Sequence, residues 1–288
     1  MKNSFSGHFL SKLRRHCGYA MPRIGRVGYN IFERIIPDNI ETELFPGIVA
    51  SMDMTDQVQK ELFYHGGRSE PFLMRGLLTL CSANGVDTFL DIGANYGFYS
   101  YLLTSRFPKL TVHSFEPNPS NFDSIARIKA LNNLHNLHPW NCGLGSTNAC
   151  IGFFIDKHNS GNCSFVSRHP NRPERVTDSM EDVDVMTFDS WLTSSRNTFQ
   201  KNTLVAKIDV EGYETEVVLG MAESLSRKLF QALVIEVFPE ALKCAGTSAE
   251  TLFVQMAKYG YVPYSEESME RIAHPPSCGN VNVVFLPE

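Results

Sequence analysis

The segment Asp91-Ile-Gly-Ala-Asn-Tyr-Gly97 follows a short apolar run and leads into residues patterned as a helix. Glycines at 93 and 97 allow a sharp turn and close approach of a ligand to the backbone, and the helix start offers unpaired N–H groups to an anion. Dinucleotide sites space their glycines as G-x-G-x-x-G, which rests a pyrophosphate on the helix N-terminus. The looser D-x-G-x-x-x-G spacing here suits a ligand without pyrophosphate. Glu116 follows 25 residues after Asp91, at the end of the next apolar run. There an acidic side chain can accept hydrogen bonds from both hydroxyls of a ribose, as the corresponding acid does in dinucleotide folds.

These residues point to a nucleoside-bearing cofactor. S-adenosylmethionine (SAM), with an amino-acid carboxylate in place of a pyrophosphate, fits better than a nicotinamide dinucleotide, and an oxidoreductase is the weaker alternative. A second set of residues has the types needed for acid–base work. Asp209 and Glu211 follow the apolar run 204–210, Glu236 lies in 232–238, and His158 and His169 fall in a polar stretch. Each also has a plainer reading: Asp209 as a contact to the cofactor amine or the loop, Glu211 as a cap of a helix from Gly212, and the histidines as exposed loop residues. Asp189 reads as a helix N-cap. Asp209, Glu211 and Glu236 together have the oxygen donors of a Mg²⁺ site. That reading is the weaker one, and no metal is assigned on sequence alone.

The elements that must position these groups alternate. Strands are expected at 86–92, 110–115, 137–142, 183–187, 204–210, 232–238 and 281–286, with helices at 98–106, 118–132, 212–225 and 248–259. This rhythm predicts an α/β doubly wound, mostly parallel sheet covered by helices, with the last strand antiparallel through a turn near 261–264. Ligands of such sheets sit beyond the carboxyl ends of the strands, where Gly93, Glu116, Asn141 and Asp209 would meet. Residues 1–84 carry apolar residues at helical spacing in 52–64 and 71–81 and read as a helical N-terminal extension or cap on a domain of residues 85–288. Between 151 and 182 the rhythm stops, and the polar, turn-rich 156–182 is expected to be a lid or a flexible insertion.

Composition sets limits on partners. The chain has 288 residues, 43% hydrophobic and 20% charged, with a net charge of -5, which argues against a surface built for nucleic acid. Seven cysteines without a C-x-x-C pair read as free thiols of a reducing compartment. Without a signal-like apolar run or a long apolar span, a cytoplasmic protein is expected. Lys2, Lys12, Arg14, Arg15, Arg23 and Arg26 all precede the first acid, Glu33, so the N-terminus is either a solvated tail or a weak peripheral membrane contact.

Phe89-Leu-Asp-Ile-Gly-Ala-Asn-Tyr-Gly-Phe-Tyr-Ser100, Phe115-Glu-Pro-Asn-Pro119, Lys207-Ile-Asp-Val-Glu-Gly-Tyr-Glu214 and Leu233-Val-Ile-Glu236 resemble the successive motifs of FkbM-type methyltransferases over about residues 86–238. The resemblance implies a class I (Rossmann-like) methyltransferase fold, SAM as cofactor, and O-methylation of a hydroxyl on a sugar, glycan, glycolipid or related natural product. It implies that Asp91, Gly93, Ala94, Asn95 and Gly97 lie along the methionine part of SAM, Glu116 on the ribose and Asn141 near the adenine. It also implies that the end of the strand carrying Asp209 faces the transferable methyl, which makes Asp209 the first choice of base, ahead of Glu211 and His158. A protein that binds SAM without catalysis is the alternative from another class. The acceptor and the oligomeric state are not specified by these motifs.

Overall fold

The computed structural model describes residues 36–167, 170, 179–195 and 199–288. The basic N-terminus and His169 lie outside these residues.

The described chain opens with a hairpin, β1 (Asn39–Phe45) and β2 (Ile48–Asp53), paired antiparallel. This corrects the helical reading of the N-terminal region. Ile40, Thr42 and Leu44 alternate with exposed or half-exposed neighbours, as do Ile48, Ala50 and Met52. That is the period-two pattern of strands, joined across Pro46-Gly47. Met52 therefore ends a strand, and α1 (Gln57–His65) begins only after Asp56, whose carboxylate caps it by accepting from the Gln59 N–H. Helix α2 (Pro71–Cys81) follows, with proline in its first turn.

The expected alternation then appears as β3 (Thr88–Ile92), α3 (Phe98–Arg106), β4 (Thr111–Phe115), α4 (Pro119–Leu131) and β5 (Leu137–Trp140). Short β6 (Gly143–Leu144), β7 (Ala149–Ile155) and β8 (Ser179–Met186) form a separate small sheet, in which β7 and β8 are antiparallel. Residues 183–187, expected in the main sheet, belong mostly to this side sheet. The chain returns through α5 (Phe188–Ser194), β9 (Leu204–Ile208), α6 (Glu214–Leu219), α7 (Ala222–Ser226) and β10 (Phe230–Val237). It ends with α8 (Pro239–Cys244), α9 (Ala249–Lys258), β11 (Tyr261–Ser265) and β12 (Val281–Pro287).

The single helix expected at 212–225 is two. Gly220 passes so close to the Gly145 carbonyl that an added Cβ would lie 1.9 Å from it, and the helix breaks there. Asp189 caps α7 across space, accepting from the Glu223 and Ser224 N–H groups, while Thr187 caps α5 itself.

The main sheet has seven strands in the order β5-β4-β3-β9-β10-β12-β11. The strands from β5 to β10 are parallel, and β12 and β11 are antiparallel to their neighbours, as the terminal turn implied. From β3 the chain builds outward on one side through β4 and β5, then on the other through β9 and β10. Outside the carboxyl ends of β3 and β9 it thus makes the crevice where doubly wound folds bind ligands. Two apolar clusters cover the two faces. One joins Phe89, Tyr101 and Val112 to Ile40, Leu44, Phe63, Leu73 and Leu77, so the hairpin, α1 and α2 share the core of the sheet. The other centres on Trp191, Phe188, Phe230 and Phe285.

Candidate functional site

At the end of β3 the chain turns through Gly93 (φ 78°) and Asn95 (φ 50°), and α3 starts after Gly97 (φ 83°). All three lie in the left-handed region that glycine and asparagine tolerate best. A Cβ on Gly93 would stand 1.8 Å from the Asp209 carbonyl oxygen, so the loop after β3 and the end of β9 touch backbone to backbone. Around this contact opens a cleft of about 230 Å³.

Of the residues expected at the cofactor, Gly93, Ala94, Asn95 and Glu116 line this cleft. Glu116 is 4% exposed, and its two oxygens accept from the Asn95 N–H (2.7 Å) and the Asn118 N–H (2.9 Å). Burial pushes its carboxyl up to about 8, against the pull of those donors. The Asn121 amide also donates to it; a carboxylate has about four acceptor positions, so at least one remains for a donor from the cleft.

Asp91, Gly97 and Asn141 are placed elsewhere. Asp91 is 1% exposed and points into α3, where one oxygen accepts from the Ser100 N–H and hydroxyl. Burial raises its carboxyl and the Lys207 ammonium lowers it again. Gly97 packs against the Tyr101 ring. The Asn141 amide donates to the Glu116 and Pro117 carbonyls and braces the loop that carries Glu116. Gly143 and Leu144, two residues further on, line the cleft in its place.

The motif after β9 supplies the polar floor. The Lys207 ammonium lies 2.7 Å from Asp209 Oδ2 and over the Tyr99 ring at 5.3 Å. Burial would lower this ammonium, but Asp209, Asp91 and Glu70 around it hold it above its usual range. Asp209 Oδ1 has no hydrogen-bond partner among the described residues. Glu211 (φ 55°) also lines the cleft. It does not cap the following helix, because the Glu214 carboxylate accepts from the Val210 and Gly212 N–H groups. Burial lifts Glu214 to about 8.

The remaining wall comes from elements distant in sequence. Val58 and Leu62 of α1, Glu70, and Tyr99 of α3 stand on one side, and Phe153, Cys163 and Phe165 of the β7–β8 region on the other. Lys207, Glu70, Tyr99 and Phe165 were not expected here from the sequence. Lys207 and Tyr99 lie in the quoted motifs, whereas Glu70 and Phe165 acquire a place only through folding. His158 is exposed and does not line the cleft; its carbonyl accepts from the Gln57 N–H. Residues 156–167 are part of the wall rather than a detached flap. Ser160 donates from its N–H to Asp56 (2.7 Å) and from its hydroxyl to Asn95 (2.9 Å), tying α1, this segment and the glycine loop together.

An open parallel sheet of this order, with a glycine turn after its first strand, a buried acid after its second and a cleft between them, defines a class I α/β methyltransferase fold. The family model "Methyltransferase FkbM domain" matches residues 91–263, and the chain belongs to that family. SAM is therefore its cofactor. "Methyltransferase 1" of Beauveria bassiana is 27% identical over 148 residues, 47% of this chain and 59% of that protein. "Methyltransferase sdnD" of Sordaria araneosa is 26% identical over 155 residues, 46% of this chain and 60% of that protein. The matched region thus spans about three-fifths of either relative. A SAM-dependent methyltransferase of Agrobacterium tumefaciens aligns in structure with TM-score 0.43 and 8% identity, over 88% of this chain and 71% of that one. Among the described residues no helix is long and apolar enough to cross a membrane.

Proposed function

We propose that the protein transfers a methyl group from SAM to a hydroxyl of a small molecule, on a sugar, glycan, glycolipid or related natural product. The bound cofactor supplies a methyl group activated on a sulfonium. The chain supplies alignment, exclusion of water and a place for the hydroxyl proton. Glu116 holds the ribose hydroxyls with its remaining acceptor capacity, and the backbone from Gly93 to Asn95 borders the amino-acid part.

Asp209 is the base. Lys207 fixes one of its oxygens and leaves the other open at the cleft, and this single arrangement carries the reading. A neutral hydroxyl is a poor nucleophile, and a carboxylate held in place lowers the barrier by accepting its proton as the bond to the methyl forms. Tyr99 and Phe165 give flat apolar faces against which a sugar or polycyclic ring can pack, as acceptor pockets with few polar anchors commonly do. Glu211 lies beside Asp209 as a second carboxylate. His158 has no part in this reading.

The test is methyl incorporation from labelled SAM into a panel of glycans and hydroxylated natural products. The conservative variant Asp209→Asn is expected to lose about 10²–10⁴-fold in turnover, with SAM affinity within a few-fold of wild type. Binding of SAM without transfer to any acceptor supports a non-catalytic SAM-binding protein instead. An Asp209→Asn variant that loses SAM affinity and keeps turnover moves Asp209 to the cofactor side.

A further inference from the structure

Beside the cleft floor four acids converge from three elements. Asp209 follows β9, Glu211 and Glu214 belong to the turn into α6, and Glu236 is near the end of the adjacent strand β10. One carboxylate oxygen from each of Asp209, Glu211 and Glu236 lies within 4.8 Å of the others. Opposite oxygens on an octahedral Mg²⁺ are about 4.2 Å apart, and on Ca²⁺ about 4.8 Å. The three carboxylates therefore stand at nearly the spacing that a single divalent ion would impose.

A second observation points to a ligand. Glu236 Oε2 is enclosed and has no hydrogen-bond partner, while Oε1 is anchored by the Asn280 amide at 2.6 Å. A buried carboxylate oxygen without a donor is costly, and burial together with Asp209, Glu211 and Glu214 holds the Glu236 carboxyl well above the usual range. Lys207 is engaged by Asp209 and is held among Asp91, Asp209 and Glu70. Its charge offsets Asp209 without reaching the unpartnered oxygen of Glu236 by any hydrogen bond.

We propose that Asp209, Glu211 and Glu236 form a binding site for a hard divalent cation of the Mg²⁺ or Mn²⁺ kind, with Asn280 orienting Glu236. Oxygen-only donors exclude the softer thiolate-seeking ions, and a hard cation would supply the partner that the enclosed Glu236 oxygen lacks. Fixing of a ligating carboxylate by an outer hydrogen bond is a common feature of metal sites, and the Asn280 contact has that form. Asp209 and Glu211 also line the cleft, so the cation faces the acceptor, where it can polarise a hydroxyl oxygen; a carboxylate oxygen has two acceptor positions, so Asp209 Oδ1 can hold the ion and still take the hydroxyl proton. That last role rests on the methyl-transfer reading; the cation site itself does not.

The experiment uses the full chain, stripped with a chelator, titrated with Mn²⁺ and followed by the spin-resonance signal of the free ion. One saturable site, displaced by Mg²⁺, is expected. Glu236→Gln is expected to weaken Mn²⁺ binding about tenfold or more, since even outer-shell changes cost about 10–100-fold, while SAM affinity is kept. In the chelated protein Glu236→Gln is expected to melt no lower than wild type, because an amide there can donate to the neighbouring carboxylates where the enclosed oxygen has no donor. Glu211→Gln, on a partly exposed turn, provides the same reading should the buried variant fold poorly. Absence of saturable Mn²⁺ binding, or wild-type Mn²⁺ affinity in both variants, overturns the site. Mn²⁺ is measured without acceptor, so a failure to methylate any acceptor leaves the site standing, and a failure to bind Mn²⁺ leaves the methyl-transfer reading standing.

Discussion

A carboxyl raised to about 8 is mostly protonated at neutral pH, and Glu116 is such a group. Two backbone N–H donors and the Asn121 amide already point at it, so a ligand that adds hydroxyl donors completes a set that favours the ionised form. Glu116→Gln keeps the shape but faces one of those N–H groups with an NH₂. It also removes a charge-assisted interaction worth about 2 kcal/mol, roughly 30-fold in affinity. Calorimetric titration with SAM is expected to show that loss with little change in melting temperature; unchanged affinity would remove Glu116 from the ribose. Glu116 and Gly93 were legible in the sequence because both sit at fixed short distances from strand ends, where spacing decides position. Asp91 and Asn141 do not line the cleft, and spacing does not say on which side of a loop a side chain emerges. Asp91 turned inward to Ser100, and Asn141 turned back to two carbonyls. Glu70 and Phe165 had no local signal at all, and Tyr99 lay in a motif without a role assigned to it.

Among the elements, the contact between the β3–α3 loop and the end of β9 is the tightest at the site. Gly85 and Gly93 both have positive φ (92° and 78°), but an added Cβ meets nothing within 4 Å at Gly85 and the Asp209 carbonyl at 1.8 Å at Gly93. Gly85→Ala therefore isolates the backbone cost, of order 1–3 kcal/mol. Gly93→Ala is expected to exceed it and, unlike Gly85→Ala, to weaken SAM binding, because the loop and Asp209 must part. Denaturant unfolding and SAM titration of the pair check this; equal losses in both variants would mean that the close approach matters little. The alternating strands and helices from β3 onward followed from apolar runs and turn residues, and α3 was legible at its observed bounds. The β1–β2 hairpin was hidden because Met52 and the residues after it also fit a helical spacing. The break between α6 and α7 was hidden because the close neighbour of Gly220 at the break, the Gly145 carbonyl, is distant in sequence.

Across the whole molecule, the buried acids set the sign of the response to pH. Glu116 and Glu214 have folded values of about 8 against an ordinary 4.5, and Glu266 of about 7, each raised chiefly by burial. Between 4.5 and 8 the folded chain therefore holds protons that the unfolded chain has released, and stability falls as pH rises. His113 acts in the opposite direction: burial lowers it from 6.5 to about 4, so its contribution grows with pH up to 6.5 and is constant above. The buried thiols Cys81, Cys142 and Cys163, raised to about 12 from 9.0, come into play only at higher pH. The interval from about 6.5 to 8.5 consequently isolates the carboxyls. A net effect of one pK unit, about 1.4 kcal/mol, moves the midpoint by roughly 2–4 °C in a protein of this size class. The chelated, ligand-free protein is thus expected to melt several degrees lower at pH 8.5 than at 6.5. SAM should reduce that slope, since the ribose donors stabilise ionised Glu116 in the folded state and bind more tightly as pH rises. The double variant Glu116→Gln, Glu214→Gln should flatten the slope without any ligand. A melting temperature that stays level or climbs between pH 6.5 and 8.5 in the wild type would mean that these acids are ionised in the folded protein, with donors or solvent reaching them that the fold does not otherwise provide.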